Sequence, residues 1–251
     1  NVTLNLTTID NATKLLLHYD DGDHSAQGHS FTANGNIVIN ASIGANDTGL
    51  FGGSLYCPGA SGDYLQLEAS SDWELGKNYT VEFWAKRTAA GGASSEYFLS
   101  TDAGAAVAYS FGWATAGNFH FENRGASADV TGPNSGDISD GEWHHVALVR
   151  NDSNSRIFMD GVVNGATPAS SGTVGSSKLM QICNRPLDNR PFEGYMDELR
   201  ISNFTRYWDS NFTPPTEPFV SDINTTLLLH FDGDASLQGH SYTFNGNPVM
   251  N

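Results

Sequence analysis

Apolar residues in this chain come in short bursts, and no stretch keeps the three- and four-residue spacing of an amphipathic helix. Segments rich in β-branched and aromatic residues cover 14–19, 29–33, 37–41, 53–57, 64–68, 79–87, 96–100, 107–113, 119–123, 143–150, 155–159, 178–183 and 195–201. Clusters of Gly, Asn, Asp and Ser separate them. Many short strands with turn chemistry between them predict an all-β fold, a two-sheet antiparallel jelly-roll sandwich. Asp160-Gly161, between Arg156-Ile157-Phe158-Met159 and Val162-Val163, predicts a two-residue hairpin, because glycine tolerates the positive φ of a primed turn. Val146, Ala147, Leu148 and Val149 form an unbroken apolar row, which predicts a strand covered on both faces, with Trp143 beside it in the core. Residues 204–220 shift to proline, aromatic and polar residues. Pro214, Pro215 and Pro218 cannot continue a central strand, so this stretch is expected to be an exit tail and linker.

The pattern then starts over. Leu15-Leu16-Leu17-His18-Tyr19-Asp20 returns as Leu227-Leu228-Leu229-His230-Phe231-Asp232, 212 residues later. Gln27-Gly28-His29-Ser30-Phe31-Thr32 returns as Gln238-Gly239-His240-Ser241-Tyr242-Thr243, and Asn34-Gly35-Asn36 as Asn245-Gly246-Asn247, both 211 residues later. So long a period is a whole domain. The expected organisation is a linker or end of a preceding repeat at 1–10, a jelly roll at 11–213, a Pro-rich linker at 214–223 and the opening strands of a second copy at 224–251. An isolated pair of strands is marginal in water, and exposing Leu227, Leu228 and Leu229 would cost about 1.5–3 kcal/mol each. They are expected to pack against another copy, by strand addition to a neighbouring jelly roll or by continuation into the next linked domain. Either contact is head-to-tail and propagates as a fibre.

Charge narrows the partners. The chain carries 12 Lys and Arg against 28 Asp and Glu, a net charge of −16, which opposes nucleic acid and anionic membranes because both select basic surfaces. No apolar run approaches the roughly 18 residues of a membrane span, so membrane insertion is not expected. There is no signal-peptide pattern, and the chain starts at Asn1 without Met, as a mature product or an excerpt would.

Cys57 and Cys183 are the only cysteines, too few for a structural zinc site. Both fall in expected strands. In an extracellular protein a disulfide closing a long loop is favoured; the other reading is two buried free thiols. Asn-x-Ser/Thr triplets occur at Asn1, Asn5, Asn11, Asn40, Asn46, Asn78, Asn151, Asn203, Asn211 and Asn224. They point either to a secreted N-glycosylated protein or to an Asn/Thr/Ser-rich β protein that meets the pattern by composition.

The run Gly141-Glu142-Trp143-His144-His145-Val146-Ala147-Leu148-Val149-Arg150, followed by Ile157-Phe158-Met159-Asp160-Gly161, resembles the laminin-G-like, concanavalin-A-like jelly-roll superfamily. The resemblance covers the whole repeat. Leu15–Asp20 is similar to that family's opening strand, Tyr79-Thr80-Val81-Glu82-Phe83-Trp84 to an inner strand, and 192–202 to the closing strand with its Asp197-Glu198 pair. Variants of this kind occur in tandem in bacterial surface proteins and marine bacteriophage structural proteins. The superfamily includes lectins, glycan hydrolases, adhesins and inert spacers, so the fold does not settle the function.

Three kinds of site are weighed. Hydrolases of this fold place acidic residues close together on one strand to flank the scissile bond. No Glu-x-Asp-x-x-Glu pattern exists here, Asp197 and Glu198 are adjacent with Arg200 as the expected ion-pair partner, and no catalytic residue is assigned. A structural Ca²⁺ is the expected cofactor: Asp20, Asp21, Asp23 and Ser25 form an oxygen-rich loop, and the resemblance adds Asp197. An Asp/Gly-rich solvent turn is the competing reading. Trp84, Trp113, Tyr109 and His120 are the candidates for stacking against a sugar, with Glu82, Trp84 and Lys86 on one strand face; core packing competes. The expected function is a non-enzymatic extracellular or surface structural domain, partnered head-to-tail by copies of itself. The alternative is a calcium-assisted glycan-binding module for adhesion or attachment.

Overall fold

A computed structural model describes residues 17–18, 22–23, 31–40, 53–88, 95–102, 108–114, 118–124, 130–131, 138–168, 178–220, 222–229 and 243–245. In chain order the strands are β1 (Leu17–His18), β2 (Gly22–Asp23), β3 (Phe31–Asn34), β4 (Val38–Asn40), β5 (Ser54–Pro58) and β6 (Tyr64–Ser70). Next come β7 (Asn78–Arg87), β8 (Glu96–Ser100), β9 (Ala108–Ala114), β10 (Asn118–Arg124), β11 (Val130–Thr131) and β12 (His144–Asn151). The last are β13 (Asn154–Met159), β14 (Val162–Pro168), β15 (Lys178–Ile182), β16 (Glu193–Ser202), β17 (Thr225–Leu229) and β18 (Thr243–Asn245). A 3-10 turn at Ser71–Trp73, capped by the Ser70 hydroxyl, is the only helical element among the described residues.

Two sheets face each other. Sheet A runs β14-β13-β12-β7-β16-β17-β1-β2, with β5 also on β16 and β4 on β5; sheet B runs β11-β10-β9-β8-β15-β6-β3-β18. Their inner faces, carrying Val81, Phe83, Val146, Leu148, Ile157, Ile201, Phe98, Phe111, Phe119, Phe121 and Met180, enclose one apolar core. Asp160 and Gly161 close the β13–β14 hairpin with φ of 50° and 75°, the two positive angles that a type I′ turn requires. Cys57 on β5 and Cys183 just after β15 are joined by a disulfide, with Cα atoms 6.0 Å apart, so the bond staples sheet A to sheet B.

Strand β12 is covered on both faces. Val146 and Leu148 point into the core between the sheets, while Ala147 and Val149 join Phe158 in a second apolar cluster. Tyr207, Trp208 and Phe212 cover that cluster. Within the segment expected as an exit tail and linker, these three rings cover the outer face of sheet A. Trp143 departs from expectation as well. It precedes β12 and stays half-exposed, 6.3 Å from the ring of Tyr195, because by strand alternation it falls on the outer face with Ala147 and Val149 and not on the inner face with Val146 and Leu148.

Candidate functional site

The seam beside β16 is where the repeat meets the fold. One edge of β16 is shared: Glu193–Met196 pairs with β5, and Leu199–Ser202 with β17. Strand β17 contains Leu227-Leu228-Leu229, the run that repeats Leu15-Leu16-Leu17 in sequence. Here it closes sheet A of its own chain, in register Leu199↔Leu229, Arg200↔Leu228 and Ile201↔Leu227. Leu227, Leu228 and Leu229 are all 0% exposed. Leu227 and Leu229 enter the core, and Arg200, the register partner of Leu228, stacks on Phe219 of the tail. The expected burial is present, but the cover comes from the same chain. Arg206 grips Asp222 with two nitrogens, each 2.8 Å from a carboxylate oxygen, and anchors the start of the strand. Burial alone would raise the Asp222 pKa; the Arg206 hydrogen bonds overcome it and hold the group at about 2.

Strand β1 runs parallel to β17 with Leu17 opposite Leu229, residues one repeat apart in sequence. Strand β18 runs parallel to β3, with Thr243↔Thr32, Phe244↔Ala33 and Asn245↔Asn34, again one repeat apart. Every other pairing between the described strands is antiparallel. Both parallel pairs thus set a strand beside its own homologue.

The outer face of sheet A holds a buried ionic cluster. Glu82 receives Arg200 at 2.8 Å, His145 at 3.3 Å and the Tyr207 hydroxyl at 2.9 Å, with Arg206 at 3.7 Å. Burial raises the Glu82 pKa, but Arg200 and His145 outweigh it, followed by Arg206, and the carboxyl sits at about 2. Arg200 therefore pairs with Glu82, not with Asp197 or Glu198. Glu198 instead accepts the Phe219 N–H at 2.5 Å, and Arg156 both stacks on Trp208 and donates to its carbonyl. Glu82 is thereby withdrawn from any Glu82–Trp84–Lys86 binding face.

Sheet B presents a second polar array. Tyr97 donates to Glu122 at 2.6 Å; Arg185 bonds Glu122 and both oxygens of Asp188 at 2.6 Å. The guanidinium of Arg185 lies 4.1 Å over the Tyr97 ring, and His120 meets that ring edge-on at 5.1 Å. Gln181 links Gln66 to Asn184. Burial, then the Glu122 carboxylate, pushes the Tyr97 hydroxyl up. Hydrogen bonding by Arg185 holds Asp188 below the usual carboxylate range. Of the residues singled out in the sequence, only His120 belongs to this array. Tyr109 points into the core against Phe121, Trp113 is buried under Arg87 at 4.4 Å, and Trp84 lies half-buried on the other sheet against His145. Tyr97, Glu122, Arg185 and Asp188 were missed. The visible signal was the His120-x-Glu122 alternation, which sets both side chains on one strand face.

Asp20, Asp21 and Ser25 lie outside the described residues, and of Asp23 only the backbone is described. Asp197 is fully buried, and one of its oxygens accepts the Glu198 N–H at 2.8 Å. Among the described residues no group of three or more His, Cys, Asp and Glu converges as a metal site would require. Of the triplet asparagines, Asn1, Asn5, Asn11 and Asn46 lie outside the described residues; Asn40 is described in its backbone only.

A two-sheet β sandwich stapled across its core, with its closing strand flanked on both edges, defines a jelly-roll domain. The model of the concanavalin A-like lectin/glucanases superfamily matches residues 59–209, and the chain belongs to that superfamily. Among solved structures it is similar to domain 4 of AbnA, an extracellular arabinanase from Geobacillus stearothermophilus solved with arabinotriose: 19% identity, 80% of this chain, 95% of that one, TM-score 0.51. It is also similar to the botulinum neurotoxin serotype D binding domain, at 11% identity over 78% of this chain and 49% of that one, TM-score 0.58. A botulinum neurotoxin type C structure, whose cell entry depends on two ganglioside molecules, matches at 11% identity over 77% and 47%, TM-score 0.58. The match spans about half the length of these toxin domains. No curated protein matches.

Proposed function

We propose that this chain is a non-enzymatic extracellular structural domain, repeated in tandem and joined head to tail into a filament, fibre or surface array. The observation that carries the reading is the place of β17. The strand whose sequence begins the second occurrence of the repeated run takes the place beside the closing strand β16, and the homologous β1 pairs on its far side, one strand further from β16. A strand that finishes one domain and starts the next makes the junction part of the hydrophobic core, which suits a polymer under load. The core-spanning disulfide supports an oxidising, extracellular setting. The non-enzymatic part rests on the sheet B carboxylates: Glu122 and Asp188 are both tied to Arg185, whose hydrogen bonds hold the Asp188 pKa down, whereas a glycosidase acid needs a raised one. Electron microscopy of the native material tests the reading. A fibre or lattice with a repeat of one domain is expected, and a dispersed monomer overturns it.

A second reading is favoured by the sheet B array. The array contains planar and hydrogen-bonding groups of the kind a glycan-binding module uses, with Glu122 half-buried and Tyr97, His120, Gln181 and Arg185 buried behind it, and structures similar to this chain include one in complex with arabinotriose and one whose cell entry depends on gangliosides. Calorimetric titration with arabinotriose and with a sialylated oligosaccharide, repeated on Glu122→Gln, tests it. Saturable heat lost in the variant favours this reading, and no heat with either sugar removes it.

A further inference from the structure

The sequence leaves the Asn-x-Ser/Thr triplets divided between composition and glycosylation, and the structure sorts them. Five of their asparagines have described side chains: Asn78, Asn203 and Asn211 are exposed, and Asn151 and Asn224 are half-buried. The buried asparagines, Asn123, Asn164 and Asn184, all fall outside such triplets. Four of the five stand at one end of sheet A on four neighbouring strands. Asn151 ends β12, Asn78 begins β7, Asn203 follows β16 and Asn224 precedes β17. Asn151 and Asn78 are register partners, and the Asn203 N–H donates to the Asn224 carbonyl at 2.8 Å. At ~4.8 Å per strand the row is about 14 Å wide. Asn211 lies at the opposite end, next to the Asp160-Gly161 hairpin, where the Phe212 N–H reaches the Gly161 carbonyl at 2.9 Å.

We propose that this rim carries N-linked glycans, independently of the polymer reading. The folded sheet accommodates a glycan on Asn78. The Asn78 Oδ1 accepts the Asp152 N–H at 3.0 Å, which leaves Nδ2 as the attachment atom without disturbing that bond. In the transfer, Nδ2 bonds to the anomeric carbon of an oligosaccharyl lipid diphosphate. The carbon–oxygen bond to the diphosphate breaks, the lipid diphosphate leaves with the electron pair, and Nδ2 gives up one proton to a base.

The same geometry sets the timing. The triplet hydroxyl is part of the acceptor signal, and in the folded sheet three of these hydroxyls are committed. Thr80 donates to Phe204 O at 2.8 Å, Thr205 to Arg150 O at 2.6 Å and Thr226 to Ile201 O at 3.1 Å. Transfer to Asn78, Asn203 and Asn224 therefore precedes closure of sheet A. Register partners stand about 4.5–5.5 Å apart in the closed sheet, too close for two glycan stalks, so a chain that has closed sheet A carries one of the two, at exposed Asn78 in preference to half-buried Asn151.

The test is peptide mapping of the full chain, from its native assembly or from a eukaryotic secretory host. Enzymatic deglycosylation in heavy-oxygen water converts each formerly glycosylated asparagine into labelled aspartate. Label is expected at Asn78 and Asn203, with less at Asn151. Asn203→Gln should remove one glycan's mass, and Asn78→Gln should move label to Asn151. Transfer in vitro should modify the unfolded chain and not the folded one. Unlabelled asparagine at all four rim positions in secreted material overturns the proposal, as does label confined to positions off the rim.

Discussion

A matched pair of double substitutions tests whether β17, and not its homologue β1, holds the seam beside β16. Leu227→Ala with Leu229→Ala removes two side chains that are 0% exposed in the core. Each such truncation costs about 2–5 kcal/mol, through lost transfer energy and the cavity left behind. The two leucines share one strand face, so the losses overlap, and about 4–8 kcal/mol is expected together. At about 2–4 °C per kcal/mol for a domain of this size, the melting temperature should fall by about 8–32 °C. Leu15→Ala with Leu17→Ala makes the same change one repeat earlier. Among the described residues β1 pairs with β17 and the short β2 and lies one strand further from β16, so the assignment of the seam to β17 predicts a smaller loss for this pair than for Leu227 and Leu229. Guanidinium unfolding curves of both variants against the parent chain, with slopes compared, give the two numbers. Equal losses, or a larger loss from the Leu15/Leu17 pair, would refute the assignment and with it the observation that carries the structural proposal.

Three further expectations follow from named contacts. Glu82→Gln should cost about 3–5 kcal/mol, because Arg200 and Arg206 lose their buried counter-charge, and hydrogen exchange in residues 204–220 should accelerate as the tail loosens. Glu82 and Asp222 are both depressed in the fold, so their stabilisation is complete above their unfolded values of 4.5 and 3.8 and is lost as pH falls through about 2. A melting-temperature profile from pH 5 to 2 should be flatter in Glu82→Gln. His144 is shifted the other way: burial lowers its pKa, but hydrogen bonds to Asp160 at 2.8 Å and Asp140 at 3.1 Å raise it overall. Its contribution is present below the unfolded value of 6.5 and disappears as pH rises through the raised folded one, which an NMR titration of the ring and the loss of that dependence in His144→Gln would check. Thiol titration of denatured, unreduced protein should find no free thiol; opening the Cys57–Cys183 bond, which spans 126 residues, should cost about 2–5 kcal/mol.

The local elements were legible in the sequence because each is set by neighbouring residues. The Asp160-Gly161 hairpin follows from backbone angles that glycine permits, and the unbroken row from Val146 to Val149 requires cover on both faces whatever supplies it. The repeat was legible as well, since self-similarity needs no fold. Strand alternation, however, says only that neighbours face opposite ways; which face is the core depends on the opposing sheet. That is why Tyr109 and Trp113 could be taken for a sugar platform while one packs on Phe121 and the other lies beneath Arg87. Register shifts also break the alternation: one between Tyr97 and Leu99 lets Phe98 and Leu99 both enter the core and leaves Tyr97 to meet Glu122. The pairing of Glu82 with Arg200, 118 residues away, depends on strands β7 and β16 being neighbours. Above all, two nearly identical leucine runs compete for one slot beside β16. Local propensity cannot separate them, and only the tertiary structure, with Arg206 gripping Asp222 at the entry to β17, decides which one pairs with β16.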